Sequence, residues 1–304
     1  MSLLSIVLPS YNEEEMLPKA AAVLPEILKR EGIEYELIFV DDGSRDLTWQ
    51  KIEEEAAKNP NVHGVHFSRN FGKESAVFAG LASAQGDCVA VMDCDLQHPP
   101  ATLIEMYRKW EEGYEVVEGV KKSRGKESAA HRAAAGTFYR IMSKATKIDM
   151  SRASDFKLMD RRAVDTLLDM PEHNMFFRAM SSWIGFKVTH VEFDVAEREA
   201  GQSKWSTRAL TKYAISNIVG YSAAPMQFVT GAGILVFVLA IVMGIQTLVR
   251  YFMGKAVEGF TTVIILILLI GSIVMISLGI IGYYIARIYE EVKGRPRYII
   301  SRKI

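Results

Sequence analysis

The chain has 304 residues, enough to bury a hydrophobic core without disulfide or metal support. Lysine plus arginine and aspartate plus glutamate both number 36, so the formal net charge is zero, which excludes a nucleic-acid binder that depends on a global positive field. Apolar residues make up 49% of the chain, which excludes intrinsic disorder, and two cysteines cannot form a disulfide scaffold.

Short apolar runs rich in valine and isoleucine alternate with helix-like segments along residues 1–205. This alternation predicts an α/β fold with a mostly parallel, doubly wound sheet. Ligands of such sheets bind beyond the carboxyl ends of the strands, and four polar motifs lie there. The predicted strands are Leu3–Leu8, Tyr35–Val40, Val62–Phe67 and Cys88–Met92, and the predicted helices are Glu14–Lys29, Thr48–Asn59, Lys73–Ala84 and Pro100–Glu112.

The first two polar motifs follow the first two predicted strands. Pro9–Glu14 (PSYNEE) can bring backbone groups and Tyr11 against a base, although such a motif by itself is most often a helix cap. Asp41–Ser44 (DDGS) offers carboxylates that can accept hydrogen bonds from a nucleobase or ribose. The same residues can instead close an Asx turn with Gly43 at a positive φ, and the residues alone favour neither alternative.

The next two motifs suit phosphate and metal chemistry. Ser68–Lys73 (SRNFGK) places a glycine and a lysine at a predicted helix start, which favours a phosphate, but the spacing is not that of a Walker motif. Asp93 and Asp95 follow a buried strand and point to the same side of an extended chain, so they can hold a hard divalent cation. Gln97 offers another oxygen ligand, and we expect His98 to be a neutral loop histidine rather than a ligand.

Positive charge and amphipathic sequence precede the C-terminal part. Residues 119–148 contain eight basic residues and one acid, Glu127, which suits an anionic lipid phosphate or leaflet as well as a solvated helix face. Ser206–Ser222 has apolar residues at helical spacing. We interpret it as an interfacial helix on a membrane surface, with an ordinary surface helix as the alternative.

Two uncharged stretches of 24 and 28 residues, Met226–Val249 and Gly259–Ala286, each exceed the roughly 20 residues needed to cross a bilayer. They predict a transmembrane hairpin whose flanking basic residues place both ends in the cytoplasm, and we expect no signal peptide before it. The predicted organisation is a cytoplasmic domain at 1–205, a juxtamembrane helix at 206–224, transmembrane helices at 225–250 and 259–286 around an external loop at 251–258, and a basic cytoplasmic tail at 287–304.

In this order and spacing, the motifs resemble family 2 glycosyltransferases with the GT-A fold. More narrowly, the chain resembles the polyprenyl-phosphate glycosyltransferases, the group that contains dolichol-phosphate mannose synthase and bacterial undecaprenyl-phosphate (bactoprenol) glucosyltransferases. The resemblance covers nearly the whole chain, and the two-helix anchor matches the membrane-bound members. Its carriers are PSYNEE at 9–14, VDDGS at 40–44, SRNFGK at 68–73, DCDLQHPP at 93–100, SDFKLMDR at 154–161 and REAGQSKWS at 198–206, with Cys94 in place of the commoner alanine.

The resemblance implies a role for each matching position. The residues that would bind the nucleotide sugar are Pro9, Tyr11, Glu13, Asp42 and Asp93. Lys73 is added to this set because a Gly-Lys pair at a helix start suits a phosphate. Asp93, Asp95 and Gln97 would carry Mg²⁺ or Mn²⁺. Arg124, Arg132, Arg198 and Lys204 would bind phosphates of the acceptor or donor, and Asp155, together with Asp95, would act at the reaction centre.

The implied reaction is the inverting transfer of one sugar from a nucleotide diphosphate sugar to polyprenyl (undecaprenyl) phosphate at the cytoplasmic membrane face. A phosphate monoester with a second pKa near about 6 needs no strong base, so Asp155 is expected to orient the acceptor, a cation or a metal-bound water. UDP-sugars, UDP-glucose among them, are favoured, with GDP-mannose or a non-lipid acceptor as alternatives. The resemblance also implies a homotetramer, since members of the group form tetramers and the predicted transmembrane hairpins can pack together in one. The alternative of a processive polysaccharide synthase would need more spanning helices and usually a Q-x-x-R-W motif, and we find neither in this sequence.

Overall fold

The computed structural model describes residues 2–122, 154–173, 175–194, 224–254 and 259–304. The chain divides into two units. The first contains Met1–Thr207 together with Arg295–Ile304, and the second contains Arg208–Gly294. Each unit is described by itself below.

The centre of the first unit is a parallel sheet built from the four predicted strands. The strand order within it is β3-β2-β1-β4, and every neighbouring pair among these four is parallel. The predicted doubly wound α/β arrangement is therefore confirmed. The elements are β1 (Leu3–Ser10), α1 (Leu17–Arg30), β2 (Glu34–Asp41), α2 (Thr48–Lys58), β3 (Val62–Phe67), α3 (Lys73–Ser83), β4 (Cys88–Val91) and α4 (Pro100–Glu111).

The strands read as continuous apolar runs because both faces of the sheet are covered. Leu4, Ile6 and Leu8 of β1 belong to one buried cluster, which also contains residues of α1 and α4. Val7 points to the opposite face and packs on α3, where Gly80 makes room for it. A Cβ atom at Gly80 would lie only 2.1 Å from Cγ1 of Val7, so glycine is required at this close approach.

The sheet continues beyond β4 with mixed strand directions. The further elements are β5 (Val116–Lys121), β6 (Lys157–Asp160), α5 (Arg161–Asp169), α6 (Phe177–Trp183) and β7 (Val188–Phe193). β6 lies between β4 and β5 and is antiparallel to both, whereas β5 and β7 are parallel. This placement of β6 brings the residues that precede it to the carboxyl end of β4.

The last residues of the chain belong to the sheet rather than to a separate tail. β8 (Ile300–Lys303) pairs antiparallel with β3 at the edge of the sheet. From the sequence, 287–304 is predicted to be a basic tail. The strand within it, β8, is missed because its four residues include two basic side chains and have no recognisable hydrophobic pattern. Pairing with β3 satisfies backbone groups that would otherwise form an open sheet edge.

The second unit contributes two long helices, α7 (Ala224–Phe252) and α8 (Phe260–Val292). Within them, Met226–Gln246 and Leu269–Val292 are long and apolar enough to cross a membrane. Large apolar side chains along the described parts of both helices are exposed, for example Phe237 at 65% and Ile276 at 61%. The two predicted apolar helices are therefore present.

Candidate active site

The loops that follow β1 and β2 form one continuous surface. The backbone N–H of Asn12 donates to the Ser44 hydroxyl at 2.9 Å, and the N–H of Arg45 donates back to the Asn12 side chain at 2.9 Å. The N–H of Glu13 donates to the Thr48 hydroxyl at 2.8 Å. Of the predicted nucleotide-binding residues, Tyr11 and Glu13 thus lie on a loop that is fixed to the start of α2, and Pro9 lies at the end of β1.

Asp41 closes a turn with Ser44, which is the structural alternative to a nucleotide-binding role for the Asp41–Ser44 motif. Its carboxylate accepts the N–H of Ser44 at 2.9 Å, and Gly43 has a φ of 64°. The second carboxylate oxygen lies 2.7 Å from Nδ1 of His66 on β3. Asp41 is fully buried, so these contacts satisfy it inside the protein. Asp41 therefore closes a turn of the predicted kind with Gly43 at a positive φ, although its hydrogen bond reaches the third residue on rather than the second.

Asp42 holds the loop formed by residues 68–72, called here the 68–72 loop. Its carboxylate accepts the N–H of Phe71 at 2.6 Å and the N–H of Gly72 at 2.9 Å. Burial raises the pKa of Asp42, and the two backbone hydrogen bonds oppose that shift in part. The loop also packs closely on Gly43, where a Cβ atom would lie 2.4 Å from the carbonyl carbon of Arg69. The nucleotide-binding role of Asp42 stays a prediction.

Lys73 is brought together with two carboxylates from distant parts of the sequence. It is the first residue of α3, directly after Gly72, whose φ of 99° suits glycine. Its ammonium lies 2.6 Å from Asp93, which follows β4, and 3.2 Å from Asp155, which precedes β6. Three of the residues predicted for the site therefore meet at one point.

Arg178 completes this cluster. Its Nε lies 2.6 Å from one carboxylate oxygen of Asp155, and its Nη2 lies 2.7 Å from the other, so the contact is bidentate. Arg178 is not predicted from the sequence, because no motif surrounds this residue of α6. The only available signal is an arginine within the apolar sequence FFRAM.

Charge pairing dominates the protonation of this cluster. Burial alone would raise the pKa of Asp155, but Lys73 and Arg178 outweigh it and hold that pKa far below its ordinary value. Burial likewise opposes ionisation of Asp93, and the Lys73 ammonium still lowers its pKa. Burial would lower the pKa of Lys73, yet the two carboxylates raise it. At neutral pH the cluster therefore contains two carboxylates and two cations.

Asp95 and Gln97 lie on a turn next to this cluster. The N–H of Gln97 donates to Asp95 at 3.1 Å, and Leu96 between them has a φ of 54°, an uncommon conformation for leucine. His98 is buried against Phe156 with ring centroids 4.5 Å apart, and burial lowers its pKa. Its Nδ1 accepts the N–H of Asp93 at 3.3 Å. These contacts agree with the prediction of a neutral loop histidine.

The donor set at this turn fits a divalent cation that is shared with a substrate diphosphate. Among the described residues, no group of three or more His, Cys, Asp or Glu side chains is arranged to hold an ion. Mg²⁺ in phosphate-transfer sites uses only one or two protein carboxylates and takes its other oxygens from phosphates and water. Asp95 and Gln97, with Asp93 beside Lys73, supply oxygen donors of that type and number.

A buried ion pair lies next to the elements that carry the cluster. Lys157 is fully buried, and its ammonium donates to Glu118 on β5 and to the hydroxyl of Ser181 on α6. The Ser181 hydroxyl in turn lies 3.3 Å from the carbonyl oxygen of Arg178. Burial lowers the pKa of Lys157, and Glu118 offsets part of that shift. This pair fixes β6 and α6, which position Asp155 and Arg178.

The four predicted phosphate-binding residues Arg124, Arg132, Arg198 and Lys204 lie outside the described residues, as does nearly all of the predicted juxtamembrane helix at 206–224. Their roles stay predictions.

Comparison with known proteins places this geometry in context. The profile of "Glycosyl transferase family 2" matches residues 5–168. The chain is 39% identical over 300 residues to the uncharacterized glycosyltransferase YkcC of Bacillus subtilis, with 98% of this chain and 93% of that protein covered. It is 36% identical over 305 residues to the bactoprenol glucosyl transferase of Shigella phage SfII, with 98% and 97% covered.

Among solved structures, the glucosyl-3-phosphoglycerate synthase of Mycobacterium tuberculosis in complex with Mn²⁺, uridine diphosphate and glucosyl-3-phosphoglycerate aligns with a TM-score of 0.51 at 20% identity. The alignment covers 73% of this chain and 80% of that chain. At 20% identity, this similarity shows a shared fold and nothing further.

Proposed function

This chain belongs to glycosyl transferase family 2, and from that premise we propose that it transfers one sugar from a nucleotide diphosphate sugar to a polyprenyl phosphate at a membrane surface. The observation that carries the proposal is the full-length similarity to a bactoprenol glucosyl transferase, at 36% identity over 98% of this chain. That similarity extends over both the sheet-bearing unit and the two apolar helices.

The two helices support a lipid acceptor. α7 has 29 residues and α8 has 33, which corresponds to about 43 and 50 Å of helix and exceeds the roughly 30 Å of a hydrocarbon core. A polyprenyl chain stays in the bilayer, so an enzyme that uses its phosphate must work at the membrane surface. Basic residues on both sides of the hairpin support an orientation with the sheet-bearing unit on the cytoplasmic face of the membrane.

On the donor side, the end of β1 and the loops after β1 and β2 would bind the nucleotide through Pro9, Tyr11, Glu13 and Asp42. UDP-glucose or another UDP-sugar is the favoured donor. Asp93, Asp95 and Gln97 would hold Mg²⁺ or Mn²⁺, which when bound supplies positive charge to the diphosphate leaving group. Lys73 adds a fixed cation at the same place, since its ammonium already lies against Asp93.

The cluster around Asp155 favours a reaction without a strong general base. A phosphate monoester is mostly dianionic at neutral pH, because its second pKa is about 6, so its oxygen can attack the anomeric carbon directly. Asp155 is paired with two cations and its pKa is depressed, so it is a weak proton acceptor. Its role would be to hold Lys73 and Arg178 in position. A single attack inverts the configuration at the anomeric carbon.

The proposal is tested by supplying the purified full-length protein with undecaprenyl phosphate, a divalent cation and a panel of radiolabelled UDP- and GDP-sugars. We expect labelled lipid from one UDP-sugar, with loss of label in Asp95→Ala and in the presence of a chelator. Asp169→Ala is the matched control, because Asp169 is an exposed carboxylate at the end of α5. Labelling from GDP-mannose would replace the donor assignment, and no labelled lipid from any donor would contradict the proposal.

A further inference from the structure

The residues that follow α8 lie against the loop that carries Lys73. Residues 295–304, called here the C-terminal strap, belong to the sheet-bearing unit. They run along β3, where the N–H of Gly64 donates to the carbonyl oxygen of Ile304 at 3.1 Å and the N–H of Ile304 donates back at 3.0 Å. The strap is therefore an integral edge of the sheet.

The strap contacts the beginning of the 68–72 loop. The N–H of Ser68 donates to the carbonyl oxygen of Ile299 at 3.0 Å. The ring of Tyr298 stacks on Phe67, with centroids 5.1 Å apart and an interplanar angle of 14°. Phe67 in turn meets the edge of Phe71, the residue whose N–H is held by Asp42, at 5.7 Å. These contacts connect the strap to the loop whose Phe71 N–H is held by Asp42.

Arg297 connects the strap to the helix that carries Lys73. The Ser75 hydroxyl of α3 lies 3.3 Å from the carbonyl oxygen of Arg297 and 3.2 Å from that of Phe71, so its single proton can serve either one. The Arg297 guanidinium donates to the carbonyl oxygen of Met170 after α5 and lies 5.8 Å from the ring centroid of Phe78 on α3. The backbone of Arg297 thus contacts Ser75 of α3, and its side chain contacts Phe78 of α3 and the end of α5.

We propose that the C-terminal strap is a positioning element of the active site and acts through Ser75 and the 68–72 loop on Lys73. The Arg297 side chain anchors the strap on α3 and at the end of α5, and the Arg297 backbone carbonyl oxygen is the atom that Ser75 contacts. Lys73 lies in the sequence between two residues that the strap contacts, Ser68 before it and Ser75 after it. Only Lys293 and Gly294 separate the strap from α8, so the segment that leaves the apolar helix is the one that fixes the site. The catalytic part of this inference rests on the proposed function.

The first test measures backbone protection and does not depend on activity. We compare hydrogen exchange of peptides covering residues 68–76 in the wild type, Arg297→Ala and Arg302→Ala. Arg302 is the matched control, because it lies in the same strap and its nearest acid is the exposed Glu53 at 3.8 Å. We expect at least about tenfold faster exchange in Arg297→Ala and no change in Arg302→Ala. Equal exchange in all three proteins would overturn the inference.

The second test separates positioning from general destabilisation. We expect Arg297→Ala to lower kcat by up to about 10²-fold with little change in the KM for the donor, and Arg297→Lys to recover part of that loss. In a Lys73→Ala background, adding Arg297→Ala should change kcat by no more than about twofold, since the residue through which it acts is gone. Additive losses would overturn the inference. A wild type that transfers no sugar would contradict the proposed function instead, and the exchange measurement would then decide this inference alone.

Discussion

The ammonium nitrogen of Lys73 lies 2.6 Å from a carboxylate oxygen of Asp93. Asp93 begins the D-x-D motif, and the same ammonium lies 3.2 Å from Asp155. One lysine therefore joins the turn proposed to bind metal to the residue proposed to lie at the reaction centre. A fixed cation at this position can stabilise negative charge that develops on a leaving diphosphate without reorganising during the reaction.

Replacing Lys73 with alanine should reduce catalysis far more than stability. We expect kcat to fall by about 10²–10³-fold, because the fixed cation is lost, and Lys73→Arg to recover part of the activity. The free energy of unfolding should fall by only about 1 kcal/mol, because 40% of the Lys73 side chain is exposed and water screens the pair. Steady-state kinetics and thermal unfolding measure both effects, with Lys109→Ala on α4 as a control. Equal kcat in Lys73→Ala and the control would contradict the assignment.

Asp155→Asn tests whether this carboxylate is a base or a positioning group. We expect kcat to fall by about 10²-fold, while the pH profile keeps the same inflection near the second pKa of the acceptor phosphate, about 6. The profile is retained because the depressed pKa of Asp155 leaves it ionised throughout the measured range. If the variant loses that inflection, Asp155 itself titrates during catalysis and the positioning role is wrong.

The same depressed pKa values predict how stability depends on acid. In the unfolded chain an aspartate titrates near about 3.9, and in the folded protein Asp93 and Asp155 titrate below their ordinary values. Their contribution to stability is therefore complete above about pH 4 and is lost as the pH falls through the folded values. The acid-induced loss between pH 5 and 2 should be smaller in Asp155→Asn than in the wild type. Parallel curves for the two proteins would contradict this reasoning.

Asp42→Ala should release the 68–72 loop even in the absence of a donor. The part-buried N–H groups of Phe71 and Gly72 would lose their acceptor, at a cost of about 1.5–3 kcal/mol, the range for a hydrogen bond to a charged group. Burial raises the pKa of Asp42, so removing this carboxylate also removes the unfavourable free energy of burying it, which offsets part of the loss. We expect a lower midpoint of thermal unfolding without nucleotide and faster hydrogen exchange in residues 68–73. An unchanged midpoint and unchanged exchange would show that Asp42 does not support the loop.

Breaking the buried pair beneath the site should be among the most destabilising substitutions in the sheet-bearing unit. Lys157→Met leaves Glu118 buried without its main partner, and we expect a loss of about 3–5 kcal/mol. The double variant Lys157→Met/Glu118→Leu removes both charges and should recover more than half of that loss. Thermal unfolding of the three proteins provides the comparison. A double variant that is less stable than Lys157→Met would contradict this account of the pair.

Sequence reasoning predicts the parallel core because its strands are buried on both faces. β1 to β4 therefore appear as continuous apolar runs, and the polar motifs that follow them identify the ends where ligands bind. It cannot find Arg178, since the contact with Asp155 depends on how α6 packs 23 residues later in the chain. It also misses β8, whose four residues have no apolar pattern, and the contact between Ser75 and Arg297, which joins residues 222 positions apart.

The most direct test of the central claim compares acceptors rather than donors. The purified protein is given the donor that labels lipid, a divalent cation, and in separate reactions undecaprenyl phosphate, undecaprenol or a lipid-free phosphate monoester. We expect an inverted sugar phosphodiester on undecaprenyl phosphate, little or no product on the other two, and none in Asp95→Ala. Efficient transfer to undecaprenol or to the lipid-free phosphate would contradict the proposed function, because that reaction requires both a dianionic phosphate and a membrane-held chain.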